Sequence, residues 1–164
     1  SICPDNQYVS QEQSALFHTI AGSAMSNKQK MEYRQLETGF EFPLSQYRLE
    51  PSTVAAYLRA VEETSALYQE PGLVPPTAIA AYAMAALAES IVLPPGTIHV
   101  SQELEFLNPV KVNDTITTHA TVSRKQSRGK FHFLNVDLNV LNQQQEAVLL
   151  GRTSFILPDE NGGQ

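Results

Sequence analysis

Hydrophobic residues recur with a period of two in the C-terminal half of the chain, which is typical of half-buried β-strands. In IHVSQELEF, residues 98–106, every apolar side chain falls at an even position, so one buried and one solvated face are expected. TITTHATVS repeats the alternation, and FHFLNVDLNV and AVLLGRTSFIL are rich in β-branched and aromatic residues. The pattern predicts four strands in meander-like succession, paired antiparallel because their connections are short.

A short amphipathic helix is predicted in PSTVAAYLRAVEE, residues 51–63, where Ser52 can cap the first turn. Four apolar residues share one face at helical spacing: Val54, Tyr57, Leu58 and Val61. A second short amphipathic helix is predicted within residues 10–32, broken near Gly22. Both helices should bury one side only.

The most apolar segment of the chain predicts a buried helix. It opens with Pro75-Pro76, because proline is tolerated in a first helical turn. From Thr77 to about Ile91 it is apolar on every side, with seven alanines between positions 78 and 88. A helix without a polar face must be buried on nearly all sides. Pro-Pro-Gly at 94–96 should end it before the four strands.

A first strand is predicted in GFEFPLSQYRL, residues 39–49, where Phe40, Phe42 and Leu44 alternate with other positions. Pro43 should place part of this strand at an edge or bulge, because proline cannot donate to a ladder. The order of elements predicts an α+β domain in which a curled antiparallel sheet wraps around the long helix. Residues 158–164 are expected to form a disordered tail.

Composition narrows the range of partners. A chain of 164 residues is long enough for one domain with a substantial core. Its net charge of −6 argues against nucleic-acid binding, which needs an excess of Lys and Arg. The longest uncharged apolar run, residues 78–88, is too short to span a membrane. The single cysteine, Cys3, cannot form an internal disulfide, and this favours a cytoplasmic location. With no phosphate loop or metal-ligand pair in the chain, no cofactor and no metal are expected.

Residues 36–157 resemble the MaoC-like hydratase/dehydratase family, which has the hot-dog fold. The matching stretches are GFEF at residues 39–42, VPPT before the central helix, and PPGTIHVSQELEFLNPVKVNDTI after it. Asn113 stands where the family's turn has glycine, and asparagine tolerates the left-handed conformation better than most residues. Residues 1–35 would then form an N-terminal helical extension.

The resemblance implies the chemistry of (R)-specific enoyl-CoA hydratases, which add water across a double bond or remove it. The family uses an aspartate and, five residues later, a histidine, with an Asn-Pro pair between them. The matching positions here are Glu63, Ser65, Ala66 and Tyr68. Glutamate can act as a base from a shifted position, but a tyrosine, with a pKa of about 10, is a poor base at neutral pH. The plainer interpretation is that Glu63 ends a short helix and Tyr68 fills a gap in the loop.

Further residues are candidates for ligand binding. Backbone N–H groups near Pro76 and Thr77 can polarise a thioester carbonyl. The basic turn RKQSRGK could hold the phosphates of coenzyme A through Arg124, Lys125 and Arg128, although a solvated hairpin is the plainer interpretation. Of the three strand histidines, at positions 99, 119 and 132, His99 is the first to test, because it follows the Pro-Gly turn after the helix.

Three functions remain open. The first is an acyl-CoA hydratase/dehydratase of fatty acid metabolism, a hydro-lyase, acting on an enoyl or hydroxyacyl thioester of CoA or an acyl carrier. The second is a catalytically silent hot-dog subunit that binds acyl chains or pairs with an active partner. Thioester hydrolysis on the same fold is the third. A homodimer is expected, with a heterodimer as the alternative, since a curled sheet leaves edges that relatives pair across a two-fold axis.

Overall fold

A computed structural model describes residues 29–69 and 72–159. The helix predicted within residues 10–32 lies almost wholly outside these ranges, and so do residues 160–164 of the tail predicted at 158–164. Pro158 is wrongly placed in that tail, because it is the last residue of a strand. The elements follow in this order: β1 (Met31–Glu32), a 3₁₀ helix (Tyr33–Gln35), β2 (Ser45–Arg48), α1 (Pro51–Ala60), α2 (Ala66–Gln69), α3 (Pro76–Ser90), β3 (Ile91–Val92), β4 (Ile98–Phe106), β5 (Thr115–Arg128), β6 (Phe131–Leu141) and β7 (Ala147–Pro158).

Five strands form an antiparallel sheet in the order β2-β5-β6-β7-β4, and β1 pairs in parallel with β3. The four predicted strands after the central helix are confirmed, as is their antiparallel pairing. The meander holds only for β5, β6 and β7, because β4 joins the far side of β7. The segment between β4 and β5 must therefore span the end of the sheet.

Helix α3 is the buried helix that its lack of a polar face predicts. It begins at Pro76, directly after the N-cap Pro75, and nine of its fifteen residues are buried. Ala78, Ala80 and Ala83 belong, with Ile79, to one core cluster together with inward-facing residues of β5, β6 and β7. Alanine leaves the sheet close to the helix backbone, and this close packing confirms the α+β arrangement.

Helix α1 differs from its prediction at both ends. Ser52 does not cap it: Glu50 is the N-cap residue, Pro51 occupies the first position, and no side chain caps the turn. Val54 and Tyr57 are buried as expected. Val61, however, lies beyond the last helical residue and is 44% exposed. The helix ends there because the chain turns at Glu62, whose φ is +54°.

The first strand is shorter than residues 39–49. Gly39 and Phe42 do donate backbone hydrogen bonds to β5, but the regular strand β2 starts only at Ser45. The interruption falls at Pro43, which lacks the N–H that pairing requires. Phe42 is 4% exposed and Leu44 is 54% exposed, so the inward face changes across the proline.

The predicted buried face of β4 is wrong. Four side chains that were expected inside are exposed: Ile98 by 59%, Val100 by 53%, Leu104 by 37% and Phe106 by 44%. No β4 residue belongs to the core cluster. The reason is position, because β4 is an edge strand that pairs only with β7. A register shift between His99 and Ser101 also breaks the alternation.

The turn before β5 has the conformation that its sequence indicates. Asn113 adopts a left-handed φ of +72°. The carboxylate of Asp114 accepts hydrogen bonds from the Lys111 N–H at 2.9 Å and from Nε2 of Gln143 at 2.9 Å. Asparagine therefore replaces glycine here without loss of the turn, and Asp114 fixes it to the β6–β7 connection.

Candidate active site

An apolar cavity of about 260 Å³ lies beside the N-terminus of α3. One wall comes from α2 and the start of α3, and the other from the end of β4, the following loop and the start of β7. The lining residues are Leu67, Tyr68, Leu73, Val74, Pro76, Ile79, Phe106, Leu107, Asn108, Pro109, Val110 and Val148. The cavity can accept an apolar chain, and Tyr68 and Asn108 are its polar side chains.

Tyr68 and Pro76 are the two predicted site residues that the structure brings together at this cavity. Tyr68 lies on the single turn α2 and is half-buried. Its N–H donates to the carbonyl of Ser65 at 3.2 Å. Tyr68, which the resemblance places at the position of the family's histidine, therefore lines the cavity with a phenol.

Glu63 is not among the residues that line the cavity. Its carboxylate Oε1 accepts a 2.8 Å hydrogen bond from the N–H of Ser65, and the Ser65 hydroxyl accepts one of 3.3 Å from the N–H of Leu67. These bonds satisfy donors at the start of α2 that have no acceptor within the helix. The carboxylate thus stabilises the local turn.

The first turn of α3 directs backbone donors outward. Pro75 and Pro76 have no N–H, and the N–H of Ala78 donates to the Pro75 carbonyl at 2.9 Å. Thr77, at the second helical position, therefore carries an N–H without an acceptor inside the helix. Thr77 is exposed and is not among the residues that line the cavity. The positive end of the helix dipole lies at the same place.

Tyr57 holds the first turn of α3 in place, a role that the sequence interpretation missed. It was placed only on the apolar face of α1, but its hydroxyl donates a 2.9 Å hydrogen bond to Oγ1 of Thr77. The side chain is 6% exposed, so a largely buried phenol joins α1 to the start of α3. A tyrosine on an otherwise aliphatic face was the available signal, since a buried phenol needs a partner.

Two other tyrosines pack against each other: Tyr82 lies on α3 and Tyr47 lies on β2. Burial raises the pKa of Tyr82 to about 12, with a smaller effect from Tyr57. Burial also raises the pKa of Tyr47 to about 12, and the nearby Glu89 carboxylate adds to the increase. Their rings stack at 6.0 Å between centroids. Both phenols stay neutral at physiological pH and do not serve as bases.

His99 lies away from the cavity. Phe106 lies seven positions further along β4, which is about 23 Å in an extended strand. Its Nε2 is 2.8 Å from Oγ1 of the buried Thr153, and its ring is 5.1 Å from that of Phe155. These contacts give His99 a packing role at the start of β4.

The basic turn also lies at the far end of the sheet, because Arg128 ends β5 whereas the cavity is near the opposite end of β6 and β7. Lys125 Nζ donates to the carbonyls of Leu36 at 2.6 Å and Arg34 at 3.2 Å, above the ring of Tyr33. The Arg124 guanidinium bonds Gln126. Within one protomer these cations do not reach a ligand in the cavity.

None of the helices within residues 29–69 and 72–159 has the length and hydrophobicity needed to cross a membrane. The same ranges contain no group of three or more His, Cys, Asp or Glu side chains able to hold a metal ion.

The five-stranded antiparallel sheet packed against a buried helix has the hot-dog fold of its structural neighbours. A family model described as "FAS1-like, dehydratase domain region" matches residues 37–150. The chain belongs to this family of MaoC-like hot-dog dehydratases. A sequence comparison with curated proteins gives no match.

Solved structures of related architecture are similar to this chain. An (R)-hydratase from A. caviae involved in PHA biosynthesis has a TM-score of 0.65 at 21% identity, covering 76% of this chain and 99% of its own. The R-hydratase PhaJ1 from Pseudomonas aeruginosa has a TM-score of 0.67 at 22% identity, covering 82% and 90%. A chain of the ChsH1-ChsH2 complex from Mycobacterium tuberculosis has a TM-score of 0.59 at 12% identity, covering 74% and 98%. These likenesses establish the shared fold.

Proposed function

We propose that this chain binds an acyl thioester with its acyl chain in the cavity beside α3, and that it has little hydratase or dehydratase activity by itself. One observation carries the proposal. The cavity lies beside the loop to which the resemblance assigns catalysis, but its wall offers the phenol of Tyr68, and the carboxylate of Glu63 accepts a hydrogen bond from Ser65 and does not line the cavity.

The binding half of the proposal rests on the shape and polarity of the cavity. Its volume of about 260 Å³ lies just below the roughly 300–1,000 Å³ of ordinary small-molecule sites. That size suits a short acyl chain. The N–H of Thr77 and the positive end of α3 would attract the thioester oxygen, and this attraction needs no side-chain base.

The expectation of little catalysis rests on the lack of a suitable acid–base pair at the cavity. Hydration of an enoyl thioester needs one group to activate water and a second proton transfer at the α-carbon. A phenol is a poor base at neutral pH. The extra methylene of a glutamate displaces its carboxylate by more than the ~1 Å that already slows an oriented reaction about 10²-fold. The acid–base contribution, typically about 10²–10⁴-fold, should therefore be largely absent.

The names of related structures are compatible with such a subunit. Two are (R)-hydratases, and two are complexes, ChsH1-ChsH2 and the 3R-hydroxyacyl-ACP dehydratase HadBC. The name of HadBC supports an acyl carrier protein as the carrier of the thioester. CoA is the carrier that the resemblance to (R)-specific enoyl-CoA hydratases implies. An active hydratase with a shifted Glu63–Tyr68 pair and a thioester hydrolase are the competing functions.

The test combines binding and turnover on the purified chain. Butyryl-CoA should bind in calorimetric titrations, and crotonyl-CoA should be hydrated more slowly than about 1 s⁻¹, the lower end of ordinary enzymes. Leu67→Trp should abolish binding, because Leu67 lines the cavity and, at 53% exposure, can be enlarged without damage to the core. Leu44→Trp, equally exposed elsewhere at 54%, is the matched control. Turnover above that limit would refute the silent subunit, and unchanged binding in Leu67→Trp would refute the cavity.

A further inference from the structure

A small cavity of about 10 Å³ lies at the C-terminal end of α3, between the helix and the paired strands β2 and β5. Ser90 is the last residue of α3 and Pro76 is the first, so this cavity and the one beside Pro76 are about 21 Å apart along the helix. The lining residues are Phe42, Pro43, Ser45, Ala86, Leu87, Ser90, Thr118 and Ala120. The small cavity is therefore separate from the candidate active site.

Three hydroxyl side chains line this small cavity and are buried in an otherwise apolar wall. Ser45 is 6% exposed, Ser90 5% and Thr118 3%. Ser45 and Thr118 lie directly opposite each other in the pairing of β2 with β5, so both side chains are on the sheet face toward α3. The helix and the two strands thus each place one hydroxyl at the cavity.

The hydroxyls of Ser90 and Thr118 have complementary hydrogen-bonding capacity. Oγ of Ser90 donates to the carbonyl of Ala86 at 2.9 Å, so its hydrogen is used, whereas its lone pairs can still accept. Oγ1 of Thr118 has no hydrogen-bond partner among the described residues, so its hydrogen is available to donate. A buried hydroxyl costs free energy unless it is paired with protein or with ordered water. A molecule that joins the two must accept from Thr118 and donate to Ser90.

The size and polarity of the cavity indicate which molecule that is. The volume is about 10 Å³, and one water molecule needs roughly 10–15 Å³. No organic ligand fits this volume. Apolar cavities stay dry, whereas a buried water is held where roughly two to four polar groups surround it. Ser45, Ser90 and Thr118 supply three such groups.

We propose that one water molecule is bound in this cavity, where it accepts a hydrogen bond from Oγ1 of Thr118 and donates one to Oγ of Ser90. The water joins β5 to the last turn of α3. At the other end of the helix, the direct hydrogen bond from Tyr57 to Thr77 joins α1 to the first turn. The water site does not depend on what the cavity beside Pro76 binds.

A crystal structure of the purified chain tests the site directly. Electron density for an ordered water is expected within about 3.2 Å of both oxygens, and it should persist in Thr118→Ser, which keeps the hydroxyl. Thr118→Val has nearly the same shape without the hydroxyl, and its crystals should lack this water. Wild-type density that shows no water between the two oxygens would overturn the proposal, and so would a water that stays unchanged in Thr118→Val.

Urea denaturation distinguishes a bound water from a dry cavity by a second measurement. Thr118→Val should increase the equilibrium constant of unfolding about five-fold, which corresponds to the loss of one net hydrogen bond. In a dry cavity the same change would remove an unpaired hydroxyl, and stability would be unchanged or higher. Thr121→Val, the same change at a half-buried position on the opposite face of β5, is the matched control and should have little effect.

Ser90→Ala removes the other partner of the same water. Its loss of stability and that of Thr118→Val should therefore not add in a double-mutant cycle. Additive losses, or a Thr118→Val variant at least as stable as wild type, would overturn the proposal.

Discussion

The hydroxyl of Tyr57 donates a 2.9 Å hydrogen bond to Oγ1 of Thr77, and this bond fixes α1 to the first turn of the central helix. The N–H of Thr77, in the first turn of α3, has no acceptor within the helix, whereas Tyr57 is buried in the core. The position of the backbone donor that we propose for the thioester oxygen thus depends on a buried side chain of another helix.

Tyr57→Phe should lower the free energy of unfolding by about 0.5–1.5 kcal/mol, the net value of a typical hydrogen bond. Thr77→Val should have a similar effect, because it removes the other partner. In a double-mutant cycle by urea denaturation, the two losses should not add. Additive losses would mean that the hydroxyls act separately and that the bond does not hold the helix start.

Tyr82→Phe should behave in the opposite way. The Tyr82 side chain is 1% exposed, and its hydroxyl has no hydrogen-bond partner among the described residues. An unpaired buried hydroxyl costs roughly 1–3 kcal/mol, so its removal should leave stability unchanged or increase it. Tyr57→Phe in the same denaturation series is the control, and a clear loss in Tyr82→Phe would reveal an unseen partner for the hydroxyl.

Stability should fall in alkaline solution. The pKa values of Tyr47 and Tyr82 are about 12 in the folded protein, against an ordinary value of 10.0. The folded state therefore holds these protons more tightly than the unfolded chain, so the stabilisation is complete below pH 10 and is lost as the pH rises toward 12. Thermal unfolding across this range should give a shallower decline for Tyr47→Phe, and an equal slope in that variant would contradict the assignment.

Larger side chains at buried positions of α3 should test how closely the central helix packs against the sheet. Ala83→Leu and Ala86→Leu insert bulk where the side chains are 0% and 3% exposed, and each should cost about 1–3 kcal/mol. Ala88→Leu is the matched control on the same helix, because Ala88 is exposed. Unchanged melting temperatures in both buried variants would contradict the position of α3 against the sheet.

The central helix was predictable because few structures other than a buried helix suit an all-apolar segment that begins with two prolines. The burial of β4 was not predictable, because alternation predicts two faces but not which strand lies at the edge. Ile98 and Val100 satisfy the pattern and are nevertheless exposed.

Motif spacing predicted Tyr68 as a site residue, whereas the cavity wall from Phe106 to Val110 depends on the path of the chain after β4. The Glu63–Ser65 bond likewise became visible only with the backbone turn.

The hydrogen bond between the Ser65 N–H and Glu63 makes it possible to distinguish a structural role of Glu63 from a catalytic one. As an acceptor for the Ser65 N–H, Glu63 can be replaced by glutamine with little loss, whereas Glu63→Ala should cost about 0.5–2 kcal/mol, as removal of a helix cap does. Any residual crotonyl-CoA hydration should be the same in wild type and Glu63→Gln, because the carboxylate does not line the cavity. A catalytic base would instead show a loss of about 10²–10⁴-fold in the glutamine variant. Glu62→Gln, the exposed neighbour, controls for the change in charge. A selective loss of turnover in Glu63→Gln at unchanged stability would make Glu63 the base and the chain an enzyme.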